Sequence, residues 1–199
     1  MTYQPKPDEI KKLREETQAP MMDCRKALVE AAGDFAKSKE VLIERGQANL
    51  EKKAERTANE GLVTSYIHAG GKIGVLVEVN SETDFVARNP KFAELSRDIA
   101  MHIAAMSPLY IDRESVPQDV IADVRKDLEA NVPPGKPAEV AQKIVEGKLN
   151  KWYEEHCLLD QPFVKDDSLS IAELIGGVVG VLGERIRVRR FTKYALGDS

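Results

Sequence analysis

Apolar residues recur at helical spacing over the first part of the chain, alternate over the middle, and return to helical spacing before a last alternating stretch. Ile10 and Leu13 share a face of a stretch that Asp8, after Pro7, can cap. Met21, Cys24, Leu28 and Ala31 share a face of the next, which Gly33 ends. Phe35 and Leu42 lie on a third, begun by Asp34 and closed by Gly46 as a C-terminal cap. These three short helices suit one small core over residues 1–46. From 47 to 60 only Leu50, Ala54 and Ala58 form a thin stripe, which predicts an exposed connecting helix and a domain boundary. Two β-type runs follow, Gly61 to His68 and Ile73 to Asn80, joined at Gly70-Gly71. Strict alternation of Ile73, Val75, Val77 and Val79 makes this a hairpin. Gly74 on the other face marks a close approach of backbone.

The second strand runs into a corner, Asn80 to Pro90, from which a long amphipathic helix starts. Asn89 is a good N-cap and Pro90 suits the first helical position. Phe92, Leu95, Ile99, His102, Ile103 and Met106 line one side of that helix, and Ser107-Pro108 ends it. A further helix opens at Ser115 and Pro117 and runs to about Ala130. After the break Asn131–Gly135 comes a longer one, with Val140, Ile144, Leu149 and Trp152 as its inward residues. Ser170-Ile171-Ala172-Glu173 is a capping box, and the glycines at 176, 177 and 180 predict close packing of its helix against the sheet. Alternation from Glu184 to Leu196 gives a last strand, Ile186 and Val188 on one face and a solvated row of Arg185, Arg187 and Arg189 on the other. The fold class is α+β: three helices and a linker helix, then residues 61–199 as an α+β core with a three-stranded antiparallel sheet packed by helices.

Composition narrows the function classes. With 42% hydrophobic and 31% charged residues the chain can bury a core, but only 6% are aromatic, so aliphatic packing must dominate. A formal charge of -4 argues against coating nucleic acid or anionic membrane through the overall field. No apolar run approaches the ~20 residues that span a bilayer. The start carries no signal-like apolar core, and Cys24 and Cys157 are far apart, so the expectation is a cytoplasmic protein with reduced thiols.

Catalytic, cofactor and metal signatures are missing: no Walker loop, no GxGxxG, no GxSxG and no HExxH. His102 on an apolar stripe reads as a core histidine. His68 and His156-Cys157 share no metal-like spacing, and Asp166-Asp167 reads as charge at a helix start. No catalytic residue, metal ligand or cofactor is therefore expected. Two places are open to a binding role. Adjacent helical residues cannot both face a narrow core, so one of Met21 and Met22 is either half-packed or displayed. At the corner, spacing leaves Phe85 as either a core aromatic or a presented one, with Asp84 beside it. Two rival uses stay open as well: an RNA contact through the terminal arginines with Phe191 or Tyr194, and a small-molecule pocket near His102 and Gly176–Gly180.

The stretches KKLREETQAPMMDCRKAL, ETDFVARN, AMHIAAMSP, LLDQPFVKDD and VRRF, in this order, closely resemble the bacterial translation elongation factor Ts family. The likeness runs from about Ile10 to Leu196. It implies an amino-terminal domain of the ubiquitin-associated type and a guanine-nucleotide exchange factor, without covalent chemistry, for the GTPase elongation factor Tu. By resemblance Thr83, Asp84, Phe85 and Val86 enter that GTPase near its magnesium and phosphate site, and Arg14, Met21 and Met22 meet its nucleotide-binding domain. It further implies a homodimer, because long members carry two related core halves and a helical arm where this length leaves room for about one core. Direct nucleic-acid and membrane partners are not implied. The turn Gln18-Ala19-Pro20 departs from the glycine-containing turn common in the family.

Overall fold

A computed structural model describes residues 3–17, 19–53, 55–135 and 137–198, with the backbone alone over 47–53. Three helices come first: α1 (Pro7–Thr17), α2 (Met21–Glu30) and α3 (Phe35–Lys53). Leu13, Cys24 and Leu28 form their buried centre, with Ile10, Ala19, Phe35 and Leu42 packed around it. Asp34 Oδ1 accepts from Lys37 N–H at 3.1 Å, as its position before α3 predicts. The start of α1 differs from expectation. Pro7 already lies inside the helix, and Glu9 reaches back to accept from Lys6 N–H at 2.6 Å where Asp8 was expected to cap. Gln18, in the divergent turn, lies outside the described residues.

Gly46 does not end α3. The helix runs through it to Lys53, so the expected connecting helix is a continuation of the third, and the chain then extends into β1. The reason is a tight crossing with α8 (Ile171–Leu182): a Cβ on Gly46 would stand 3.1 Å from the carbonyl carbon of Gly176. Glycine here permits close approach and does not serve as a stop. The same contact corrects the reading of the glycine-rich helix, since Gly176 packs on α3 and not on the sheet. Of the thin stripe, the side chains of Leu50 and Ala54 lie outside the described residues, while Ala58 is buried.

Strands β1 (Glu60–Ile67), β2 (Ile73–Ser81) and β5 (Ile186–Ala195) form an antiparallel sheet in the order β1-β2-β5. Register sets Leu62 opposite Val79, Thr64 opposite Val77 and Tyr66 opposite Val75. The face carrying Val75, Val77 and Val79 is buried under Phe92, Leu95, Ile99 and Ile103 of α5 (Pro90–Met106) and Ile171, Ile175 and Val179 of α8. On the opposite face Val63, Ile67, Leu76 and Tyr194 are exposed. Gly61, at φ +142°, fits where a Cβ would lie 2.1 Å from the Val79 carbonyl oxygen. Gly74 has only a side-chain neighbour, the Ile67 Cδ1 at 3.1 Å from its would-be Cβ, so the backbone approach falls at Gly61 instead.

Helices α6 (Gln118–Ala130) and α7 (Ala138–His156) pair as a hairpin tied by Arg125 and Glu146 at 2.7 Å. Because α6 covers only one side of α7, α6 buries no residue fully and Val140, expected inside, is exposed. Val145 and Leu149 are the buried residues of α7. A short two-stranded ribbon, β3 (Pro162–Phe163) with β4 (Asp166–Ser170), leads into α8. The capping box of α8 forms as read, with Glu173 N–H donating to Ser170 Oγ and Ser170 N–H donating to Glu173. Among the described residues no helix is long and apolar enough to cross a membrane.

Candidate functional site

The corner after β2 holds a one-turn helix that spacing did not reveal, α4 (Asp84–Ala87). Thr83 caps it, its hydroxyl accepting from Val86 N–H at 3.5 Å. Successive helical residues point about 100° apart, so four of them face four ways. Val86 and Ala87 are buried and root the turn in the core. Phe85 must then point outward, and it is 85% exposed. Asp84 is half-exposed beside it and pairs with Arg88 at 2.8 Å. Asn89 Oδ1 then accepts from Lys91 N–H at 2.9 Å and α5 begins at Pro90, as expected. Of the four corner residues singled out by resemblance, Thr83, Asp84 and Phe85 thus form the surface and Val86 its anchor.

A second set of bonds fixes this corner from a distant part of the chain. Gly183, in the left-handed region at φ 77°, ends α8 and turns the chain toward the corner. Glu184 then accepts from Thr83 N–H at 2.9 Å and from Thr83 Oγ–H at 2.6 Å, across 101 residues of sequence. In the other direction Arg185 N–H donates to Glu82 at 2.6 Å, and Arg56 pairs with Glu82 at 3.3 Å. Sequence reasoning missed Glu82, Glu184 and Gly183. A threonine before the turn was a legible cap signal, but the contact with Glu184 leaves no local trace.

In α2, Cys24, Ala27 and Leu28 face the small core, while Met21 and Met22 in the first turn are 51% and 57% exposed. Both methionines are therefore displayed, and Arg14 on α1 is exposed too. Large apolar side chains in solvent at two places are candidates for protein contact.

The arginine row is not the solvated face that alternation suggested. Arg185 donates to the Arg56 carbonyl and Arg187 to the Ala58 carbonyl at 3.5 Å, so both hold the segment before β1. Burial, with Arg187 nearby, pushes the Arg185 guanidinium below its usual range. A bulge between Glu78 and Val79 places Arg190 opposite Glu78 and Val188 opposite Val79. Arg189 and Arg190 consequently both reach Glu78, at 3.2 and 2.7 Å.

His102 is sealed in the core. Val164 N–H donates to its Nδ1 at 3.3 Å, so Nε2 carries the proton and donates to Gln161 Oε1 at 2.9 Å. Burial lowers its pKa, which keeps the ring neutral. The cleft of about 980 Å³ lined by Gly176, Gly177 and Gly180 lies between the helical bundle and the core and does not include His102. Burial also pushes the Cys157 thiol up to about 11. Among the described residues no group of three or more His, Cys, Asp or Glu side chains is placed to hold a metal ion.

Residues 11–198 match the family described as Elongation factor TS. An elongation factor Ts of Koribacter versatilis is 52% identical over 193 residues, which cover 96% of this chain and 87% of that protein. One from an Anaeromyxobacter species is 54% identical over 95% of this chain and 87% of its own length. A third, from Thermodesulfovibrio yellowstonii, is 50% identical over 96% and 95% respectively. With a family match over nearly its whole length and relatives at half identity, the chain belongs to the elongation factor Ts family.

Proposed function

We propose that this chain, a translation elongation factor by family, promotes release of GDP from elongation factor Tu so that GTP can rebind. The observation that carries the reading is the exposed Phe85 ring with Asp84 beside it, on a turn whose backbone is capped and rooted in the core. A bulky apolar group has no favourable place in water, and it gains most when a partner desolvates it. Factor and nucleotide compete for one conformation of the GTPase, so each weakens the other's binding by the same factor. Phe85 acts as a wedge that is stable only once the GTPase loops have moved. Asp84 disturbs the polar network around the magnesium ion, and loss of that ion removes charge neutralisation from the diphosphate. No bond is made or broken in the factor itself. Met21 and Met22, with Arg14, form a second contact on the nucleotide-binding domain, and the exchange takes place in the cytoplasm.

The exposed Val63, Ile67, Leu76 and Tyr194 on the open face of the sheet suit a second copy of the chain, giving a homodimer. Equilibrium sedimentation of Leu76→Glu tests that part; a dimer as tight as the parent's would refute it. The central test is stopped-flow release of fluorescent GDP from elongation factor Tu. Phe85→Ala and Asp84→Ala should each lose most of the acceleration. Full-rate exchange by both folded variants would refute the wedge.

A further inference from the structure

A one-turn helix does not hold its own shape, because nucleation fixes several residues for a single backbone bond. Phe85, being 85% exposed, has no packing of its own to set where its ring points. Its direction is therefore inherited from the backbone of residues 83–87. Val86 and Ala87 pin that backbone from inside. On the outside, both carboxylate oxygens of Glu184 are engaged by Thr83, one by the N–H at 2.9 Å and one by the hydroxyl at 2.6 Å. Because the single hydroxyl proton goes to Glu184, the lone pairs of that oxygen are left for Val86 N–H, which is the cap of α4. Arg185 N–H on Glu82 completes a reciprocal clasp between residues 82–83 and 184–185.

We propose that Glu184 is a positioning residue for nucleotide exchange: by clasping Thr83 from the end of α8 it pre-sets α4, and so the direction of Phe85, before the GTPase is met. This rests on the wedge reading above. Glu184 need not touch the partner, since it acts through the backbone it holds. A corner already in its bound conformation loses less freedom on docking, which lowers the concentration needed for half-maximal exchange.

The test uses the full chain and fluorescent GDP on elongation factor Tu, with rates taken across factor concentration. Glu184→Ala should raise the half-saturating concentration roughly five- to tenfold, the scale of a lost cap or pre-organising contact, with little change in maximal rate. Glu184→Gln keeps one acceptor for Thr83 N–H and an amide for the hydroxyl oxygen, so it should recover most of the loss. In a Phe85→Ala background Glu184→Ala should have no further effect, because the group it aims is gone. Parent-like exchange by Glu184→Ala overturns the proposal, as does a penalty of equal size with and without Phe85. Unfolding of Glu184→Ala at the assay temperature also overturns it, since the carboxylate would then belong to global stability. If Phe85→Ala itself exchanges normally, the wedge reading fails; if it is impaired while Glu184→Ala is not, only the clasp fails.

Discussion

His102→Leu separates the stability of this chain from its proposed activity. The imidazole bridges Val164 N–H, at 3.3 Å, and Gln161 Oε1, at 2.9 Å, while Gln161 Nε2 goes on to the Glu155 carbonyl at 2.9 Å. His102 and Gln161 are both buried, so leucine leaves Gln161 Oε1 without a partner in a dry site, while Val164, whose N–H also loses its acceptor, is exposed. A buried orphan costs about 1–3 kcal/mol, and one near solvent less. Packing of the isobutyl group offsets part of that, for a net loss of about 1–3 kcal/mol. On a chain of this size the melting temperature should fall by roughly 2–12 °C. The pH dependence carries a second signature. Burial depresses the folded pKa of this base below its unfolded value of about 6.5, so the unfolded chain binds the proton first. The parent should therefore hold full stability above about pH 6.5 and lose it progressively as pH falls below that, and His102→Leu should lack this component. His102 also lies about 18 Å up α5 from Pro90 by helical rise. At a temperature where both proteins are folded, exchange should then match the parent. Urea titrations at pH 7.5 and 5.5, read by circular dichroism, measure both effects. A loss under about 0.5 kcal/mol, the range of an ordinary surface change, would refute the buried bridge.

Other predictions follow from single contacts. Gly61→Ala sets a Cβ 2.1 Å from the Val79 carbonyl oxygen at φ +142°, so it should destabilise by more than about 2 kcal/mol in chemical denaturation; a neutral result would mean that the β1–β2 register is wrong. Arg190, and then Asn80, hold the Glu78 carboxyl below its usual range, so its contribution is complete above an unfolded pKa of about 4.3 and disappears as pH falls through the lower folded value. Glu78→Gln should flatten that part of an acid-unfolding curve, and an unchanged curve would contradict the pairing. Cys157, pushed up to about 11, and Cys24, also raised by burial, should resist a chromogenic disulfide reagent at pH 8 until the protein is unfolded. Prompt labelling of the native protein would count against their burial. Replacing Met21 and Met22 together by serine should leave the melting temperature unchanged and raise the half-saturating concentration for exchange roughly tenfold, as expected for interface anchors; an unchanged concentration would remove them from the contact.

Signals confined to a few residues were legible in the sequence. Asp34, Asn89-Pro90 and the Ser170–Glu173 box each act within one helical turn, and each forms as its chemistry dictates. Alternation of Val75, Val77 and Val79 found the buried face of the sheet because one face is covered and period two permits only one assignment. Glycines were ambiguous for a physical reason. Gly46 has the same permissiveness whether it ends a helix or lets another backbone approach, and only the distant Gly176 decides between the two. The arginine strand was misread because a bulge changes the period, and because the acceptors of Arg185 and Arg187 lie 129 residues away. Phe85 was open on spacing alone, since a one-turn helix is too short to show a period. Its exposure follows only once Val86 and Ala87 are seen to face inward.

An exchange factor of the proposed kind works by a difference in affinity between two conformations of its partner, and freedom left in the wedge subtracts from that difference. This explains why Phe85, Met21 and Met22 are not on long loops. Phe85 stands between a strand whose last residue, Ser81, is fully buried with its hydroxyl on the Thr83 carbonyl at 3.0 Å, and a helix fixed by Asn89 and Pro90. Met21 and Met22 stand about one turn before Cys24 and two before Leu28, which anchor α2. In both places an exposed, adaptable or bulky side chain lies within four residues of one with no solvent exposure at all. The energy that could be lost in ordering the backbone on docking has already been settled in folding. On the proposed reading each place then offers the partner apolar surface with a charge beside it, Asp84 at one and Arg14 at the other, at a direction fixed by the core beneath it.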